Sequence, residues 1–195
     1  VESEPAADGI EVRLQITGRA FAGLKERRRN LTGRTGCGIC GVDSIDQAVR
    51  DLPRIQNDRR FTAASIFRAL DELPALQVLN RDSRTLHAAA FCDPDGKVLL
   101  LREDVGRHNA LDKLIGAMRK AKLDPASGFG VITSRCSSEM VQKAAVLGLP
   151  MLVAVSAPTG LAQELADRYG LTLIGLARSD SLIIVSEGWR LNEQK

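Results

Sequence analysis

Residues 129–176 read FGVITSRCSSEMVQKAAVLGLPMLVAVSAPTGLAQELADRYGLTLIGL, and this stretch decides the fold. It holds three short apolar runs, FGVITS (129–134), MLVAVS (151–156) and LTLIGL (171–176), separated by two segments with helical spacing. The first helix is expected to start at Ser137 and to close at Gly148 and Pro150; the second opens at Pro158 and ends near Gly170. Apolar strands that alternate with amphipathic helices imply a sheet covered on both faces and at least partly parallel.

Working outward, LIIVS (182–186) supplies a last strand, and Leu111, Leu114, Ile115 and Met118 mark one face of a preceding helix. Before that, LHAAAFC (86–92) and KVLLLR (97–102) form a hairpin whose turn is built from Asp93, Pro94, Asp95 and Gly96. Ile66, Phe67, Leu70 and Leu73 predict a helix capped by Thr62 and running up to Pro74. Near the start, Ile10, Val12, Leu14 and Ile16 alternate with Glu11, Arg13 and Gln15, the period of a strand with one buried face. Two portions are expected: residues 1–79, with a strand, a loop and a helical segment, and residues 80–195, an α/β core that binds the ligand.

The chain has 195 residues, 44% of them hydrophobic, and no low-complexity tract, so it can bury one substantial core. No apolar run approaches the roughly 20 residues of a membrane span, and VESEPAADG lacks the features of a secretory signal, so a cytoplasmic protein without a membrane partner is expected. Because it begins with Val1 rather than Met, a further N-terminal portion is also expected. The net charge of +3 is too small to argue for a nucleic-acid partner, but the cations cluster in KERRR (Lys25 to Arg29) and at Arg34.

Those cations precede GRTGCGICG (33–41), where Cys37 and Cys40 form a CxxC pair among glycines. Four cysteines in 195 residues do not make a disulfide scaffold, so the pair reads as metal-binding or reactive. A structural zinc needs four ligands, and Cys92, Cys136, His87 and His108 supply no second close pair. A thioredoxin-like pair belongs where a strand meets a helix, not among glycines. The third reading is a persulfide carrier, whose thiolate accepts a sulfur atom and passes it on. The glycines of Leu31 to Gly41 predict a mobile loop with the necessary reach, and Arg27, Arg28, Arg29 and Arg34 would favour the thiolate. Cys40 is then placed to attack the sulfur on Cys37, or to close a disulfide after release.

Cys92 reads as a small core residue, and Cys136, though it follows a strand and precedes a helix, has no activating base beside it. In REDVGRHNALDK (102–113), Gly106 permits close backbone approach, and Arg107 and His108 sit where free helix amides favour a phosphate. The competing reading is ordinary capping by Asp104 with Arg107 in solvent, and His108 and Asp112, four apart on one helix face, can simply hydrogen-bond each other.

Taken in order, GLKERRRNLTGRTGCGICGV (23–42), TLHAAA (85–90), EDVGRHNALDK (103–113), SSEMVQKAA (137–145) and the closing strands resemble the formate dehydrogenase accessory sulfurtransferase family, FdhD. The resemblance covers nearly the whole chain. It implies a three-layer α/β/α fold of the cytidine deaminase type with a mixed sheet, a homodimer, and a cytoplasmic protein that receives sulfur from a cysteine desulfurase. The sulfur goes to the molybdenum bis-molybdopterin guanine dinucleotide of formate dehydrogenase, a cofactor handled here as cargo. By residue, the resemblance puts the persulfide on Cys37 and its partner on Cys40, and the cofactor-binding stretch on Leu176, Ala177, Arg178, Ser179, Asp180 and Ser181. Two departures are visible: Asp180 and Ser181 stand where the family commonly has glycine and arginine, and a pair of glycines before TLHAAA is missing.

Combined with the rule that amides and cations gather at the strand ends of an open α/β sheet, the resemblance predicts binding of GDP, a surrogate for one end of the cofactor, near Arg178 and Ser181 and close to Ser134 and Arg135. Deaminase chemistry is not expected, because His87 and His108 are followed two positions on by Ala89 and Ala110 rather than glutamate, and Gly36 rather than proline precedes Cys37.

Overall fold

The computed structural model describes residues 2–6, 9–26 and 49–192. Cys37, Cys40, the expected mobile loop and the cations Arg27 to Arg29 and Arg34 lie outside the described residues.

The three apolar runs become parallel neighbours β6 (Phe129–Ile132), β7 (Met151–Ala154) and β8 (Thr172–Gly175). Every residue of the three is buried. On one side the hairpin β4 (His87–Cys92) and β5 (Val98–Asp104) extends the sheet, with β4 antiparallel to β6. On the other side β9 (Ile183–Ser186) pairs antiparallel with β8, so the spatial order is β5-β4-β6-β7-β8-β9.

Three helices, α4 (Arg107–Lys120), α5 (Ser138–Leu147) and α6 (Gly160–Tyr169), cover one face of this sheet. Their buried Leu111, Leu114, Met118, Met140, Val141, Leu165 and Tyr169 meet Phe91, Ile132, Leu152 and Leu173 from the strands. The opposite face, carrying Ala90, Val131, Met151, Val153 and Ile174, is covered by α2 (Ala63–Leu76) through Ile66, Ala69 and Leu73. Phe61 completes that side, stacked edge-on to Phe129 with ring centroids 5.4 Å apart. The result is the three-layer α/β/α arrangement with a mixed sheet that the motifs implied.

Helix α2 begins with a capping box between Thr62 and Ser65, as Thr62 promised, but continues two residues past Pro74 to Leu76. A proline in the last turn removes only one donor, so the helix tolerates it there. After α3 (Val78–Ser83) the chain enters β4. Pro158 does not open α6. Thr159 caps it, its hydroxyl accepting from Ala162 N at 3.2 Å, while Pro158 bridges to Cys136.

The alternating run at the start is corrected more sharply. The strands β1 (Glu2–Ala6) and β2 (Gly9–Arg13) pair antiparallel in a two-stranded ribbon, with α1 (Gly18–Glu26) following. Strand β2 stops before Leu14 and Ile16, and Val12, Leu14 and Ile16 are all exposed. Period-two alternation marks a face able to be buried, and among the described residues no layer lies against this one.

Near the C-terminus, β10 (Leu191–Asn192) pairs parallel with β3 (Phe61–Thr62). Beside it Arg190, only 1% exposed, donates from Nε to Asn57 O (2.9 Å), from Nη1 to Gly170 O (2.8 Å) and from Nη2 to Ile55 O (3.4 Å). Its guanidinium also lies 4.1 Å from the Trp189 ring centroid. Removing a buried charge that satisfies several carbonyls leaves them bare, so Arg190→Ala should cost about 3 kcal/mol and lower Tm by about 6–12 °C. Arg13→Ala, which breaks only exposed ion pairs to Glu4 and Glu11, should change stability by less than about 0.5 kcal/mol. Thermal and urea denaturation of both variants checks this; equal effects would show that the buried cation contributes no more than a surface one.

Candidate functional site

Because β6, β7 and β8 are sealed on both faces, polar groups collect where these strands end. The strands end earlier than their apolar runs: Thr133 and Ser134, Val155 and Ser156, and Leu176 all belong to the connecting loops. The start of β4 and the end of β5 lie at the same rim, since His87 pairs with Asp104, and Ala88 N donates to Thr133 Oγ1 at 2.8 Å. Helices α4, α5 and α6 follow β5, β6 and β7, so all three begin at this rim with their amide-rich, partially positive ends.

At the β8 end, Leu176 adopts φ of +50°, a left-handed conformation that costs a non-glycine residue about 1 kcal/mol or more. Hydrogen bonds hold it there: Leu176 N to Ser156 O (3.4 Å), Ala177 N to Ala154 O (3.1 Å), and Arg178 N to Ser181 O (2.7 Å). Ser181 Oγ donates to Asp180 Oδ1 at 2.9 Å, and Arg178, Ser179, Asp180 and Ser181 are all exposed. Ser134 is buried, its hydroxyl donating to Arg135 O at 3.0 Å, whereas Arg135 projects as an exposed cation.

At the α4 end, Asp104 Oδ1 accepts from Gly106 N (2.8 Å) and Asn109 Nδ2 (3.2 Å), and Oδ2 pairs with Lys113 (2.5 Å). The lysine contact, then the Gly106 amide, hold this carboxyl below the usual aspartate range. Asp104 thus braces the turn into α4 but does not cap the helix: Gly106 holds the cap position, without a side-chain cap bond. The expected His108–Asp112 bond is absent: Asp112 pairs with Lys143 of α5 at 2.5 Å, while His108 Nε2 lies 3.3 Å from Ser137 Oγ and 3.5 Å from Glu139 Oε2. Burial is the main force lowering the His108 pKa, opposed by Glu139 and Asp112 and reinforced by Arg107 and Lys143. His87 is lowered too, by burial and by Arg107.

Thus Leu176 to Ser181, Ser134 and Arg135, Arg107 and His108 share one rim. Sequence reading missed the carbonyls of Ala154 to Ser156 and the ion-pair chain Glu139–Lys143–Asp112. The first was findable, since a parallel β6-β7-β8 order forces the β7 loop between the other two; the second spans two helices and has no local signature.

The two described cysteines are closed to chemistry. Cys92 and Cys136 are fully buried and unpaired in disulfides. Burial pushes the Cys136 thiol up from about 9 to about 12, and burial, with Asp93 and Glu72 nearby, raises Cys92 far above the thiol range. No three metal-ligating side chains gather among the described residues.

A model of the FdhD/NarQ family matches residues 3–192. The chain belongs to this family. Among members of the FdhD/NarQ family, the sulfur carrier protein FdhD of Variovorax paradoxus (strain S110) is 46% identical over 192 residues, covering 98% of this chain and 69% of that protein. The protein of the same name from Xanthomonas campestris pv. campestris (strain B100) is 48% identical over 185 residues, 95% of this chain and 66% of its own length. The chain thus spans about two-thirds of these relatives. The crystal structure of a Desulfotalea psychrophila protein assigned as a formate dehydrogenase accessory protein superposes with a TM-score of 0.66 at 27% identity, over 72% of this chain and 59% of that one. Among the described residues, no helix is long and apolar enough to cross a membrane.

The burial of two thiols sets an expected alkylation pattern. Iodoacetamide at pH 8 on the native protein should leave Cys92 and Cys136 unmodified, and both should react once urea is added, as read by peptide mass spectrometry. Unfolding exposes Cys136 to deprotonate near its ordinary pKa of about 9, below its folded value of about 12. The folded state keeps the proton longer, so stability should fall as pH rises from about 9 towards 12. Cys136→Ala should flatten that alkaline loss; native labelling of Cys136 would contradict the sealed geometry.

Proposed function

We propose that the protein is a sulfurtransferase in which Cys37 carries sulfur as a persulfide, taken from a cysteine desulfurase and delivered to the molybdenum bis-molybdopterin guanine dinucleotide of formate dehydrogenase. The observation that carries this reading is the rim, where three helix starts and the loops after β6, β7 and β8 converge, in a chain whose relatives are named sulfur carrier proteins. The cargo ends in guanine nucleotides, and a rim of helix-start amides with the exposed cation Arg135 suits their phosphates. Leu176 to Ser181, Ser134, Arg135, Arg107 and His108 are the groups assigned to hold it.

Sulfur transfer needs an accessible thiolate, and the buried Cys92 and Cys136 are unsuited to it, which leaves Cys37 and Cys40. In the first step the Cys37 thiolate attacks the outer sulfur of the donor persulfide; a sulfur–sulfur bond forms to Cys37 and the donor thiolate leaves. No net electrons are exchanged. Attack by the Cys40 thiolate on the inner sulfur of Cys37 would expel hydrosulfide and leave a disulfide, a form protected until reduced.

The chain can also bring these thiols to the rim. Arg50 N is fixed to Gln142 Oε1 at 2.9 Å, one turn into α5 from its start. Cys40 precedes Val49 by nine positions (49 − 40), a length that spans at most about 30 Å when extended, so the rim lies within reach. We place this activity in the cytoplasm, in a homodimer.

Incubation with a cysteine desulfurase and cysteine, followed by intact-mass and peptide mass spectrometry, tests the proposal. The expected product is a 32 Da adduct on Cys37, about the mass of one sulfur atom, that is lost with reductant and abolished in Cys37→Ala. Labelling unchanged in that variant would move the carrier elsewhere, and a zinc-bound CxxC that takes up no sulfur would favour a non-catalytic cofactor chaperone.

A further inference from the structure

The loops after β7 and β8 are laced through three consecutive carbonyls. Leu176 N bonds Ser156 O and Ala177 N bonds Ala154 O. The carbonyl between them, Val155 O, accepts from Nη1 of the Arg178 guanidinium, which also reaches Ala177 O at 3.0 Å. Although Arg178 is exposed, one arm of its fork is committed to the main chain of the loop that holds Leu176 in its left-handed conformation.

Arg135 stands on the loop after β6, two strands from the β8 loop, or about 10 Å at ordinary strand spacing. Among the described residues its guanidinium has no hydrogen bond or ion pair. The backbone beneath it is nonetheless rigid, because Cys136 N donates to Ala157 O (3.3 Å) and Thr159 N to Cys136 O (3.0 Å). It lies two residues before Ser137, which precedes the first turn of α5 and makes no side-chain cap bond there. Other cationic groups of the rim are engaged: Arg107 has a partner, and His108 contacts Ser137 and Glu139.

We infer that the two arginines divide the recognition of the nucleotide end of the cargo: Arg135 is the cation that contacts phosphate, and Arg178 is a positioning residue that shapes the 176–181 loop through Val155 O. This rests on the nucleotide binding proposed above. The Nη1 arm of Arg178 is spent on the carbonyls of Val155 and Ala177, which tethers that guanidinium to the main chain, whereas among the described residues all five N–H groups of Arg135 are open to a phosphate. The separation of the two loops matches a nucleotide lying across the ends of β6, β7 and β8, with its phosphates on the α5 side.

Isothermal titration of guanosine and of GDP into the wild type, Arg135→Ala, Arg178→Ala and Arg178→Lys tests this. The wild type should bind GDP more tightly than guanosine by about tenfold or more, the worth of one charge-assisted contact. Arg135→Ala should bring the two affinities together while leaving guanosine binding unchanged. Arg178→Ala should weaken both ligands by the same factor and preserve their ratio; Arg178→Lys, which retains one donor for Val155 O, should recover part of the loss. A ratio erased in either Arg178 variant but kept in Arg135→Ala would overturn the division of roles. Failure of the wild type to bind GDP would instead overturn the nucleotide-binding reading itself, and this inference with it.

Discussion

Strands β6, β7 and β8 carry no exposed residue, and this double burial constrains everything around them. A strand sealed on both faces admits apolar side chains or a polar one with a partner, as Thr172 has in Glu187 O, because an unpaired polar group there would cost about 1–3 kcal/mol. Polar chemistry is therefore displaced to the strand ends. Since the crossovers after β6 and β7 are helices, those strand ends meet helix starts, and the displaced polar groups find backbone amides there. The location of the rim follows from the core, without any separate specification.

A second constraint holds the segment that leads from the cysteine pair into the fold. Residues 49–60 form no regular element, yet Val49, Leu52 and Ile55 pack against the helical side of the core. The polar backbone is satisfied by side chains from elsewhere: Arg50 O accepts from Tyr169 Oη at 2.6 Å, and Arg190 takes the carbonyls of Ile55 and Asn57. Arg54 in turn pairs with Glu187 and donates to Asp167 O at 2.7 Å. An irregular segment with its backbone partnered in this way behaves as part of the fold. The chain therefore enters the sheet domain from a fixed point at residues 49–60.

Much of this was legible because core strands and helices write their burial directly into the sequence. FGVITS, MLVAVS and LTLIGL each yielded a strand, and Leu111, Leu114 and Met118 fall on the buried face of α4. Ends were harder, since apolar or small residues such as Val155 and Leu176 continue a pattern after the ladder has stopped. At Pro158 the local preference for a helix start was overridden by its bridge to Cys136. The exposed Val12, Leu14 and Ile16 show the converse, a correct local period with no neighbour to bury it. At the rim, the position of single residues such as Arg135 was readable from topology, whereas the contacts of Glu139, Lys143 and Arg178 depend on partners distant in sequence.

The pairing of β10 with β3 joins Leu191 to Phe61 across 130 positions (191 − 61). During synthesis, the central sheet has all of its strands through β8 before the chain reaches Arg190. Residues 190–192 then complete the second layer and fill the carbonyl cage at Ile55, Asn57 and Gly170. Contacts of such sequence separation form late, because loop closure must precede any gain from them. A nascent chain would accordingly assemble its central sheet before Arg190 arrives to hold the carbonyls of Ile55 and Asn57, so the irregular segment 49–60 is fixed only after the sheet it packs against.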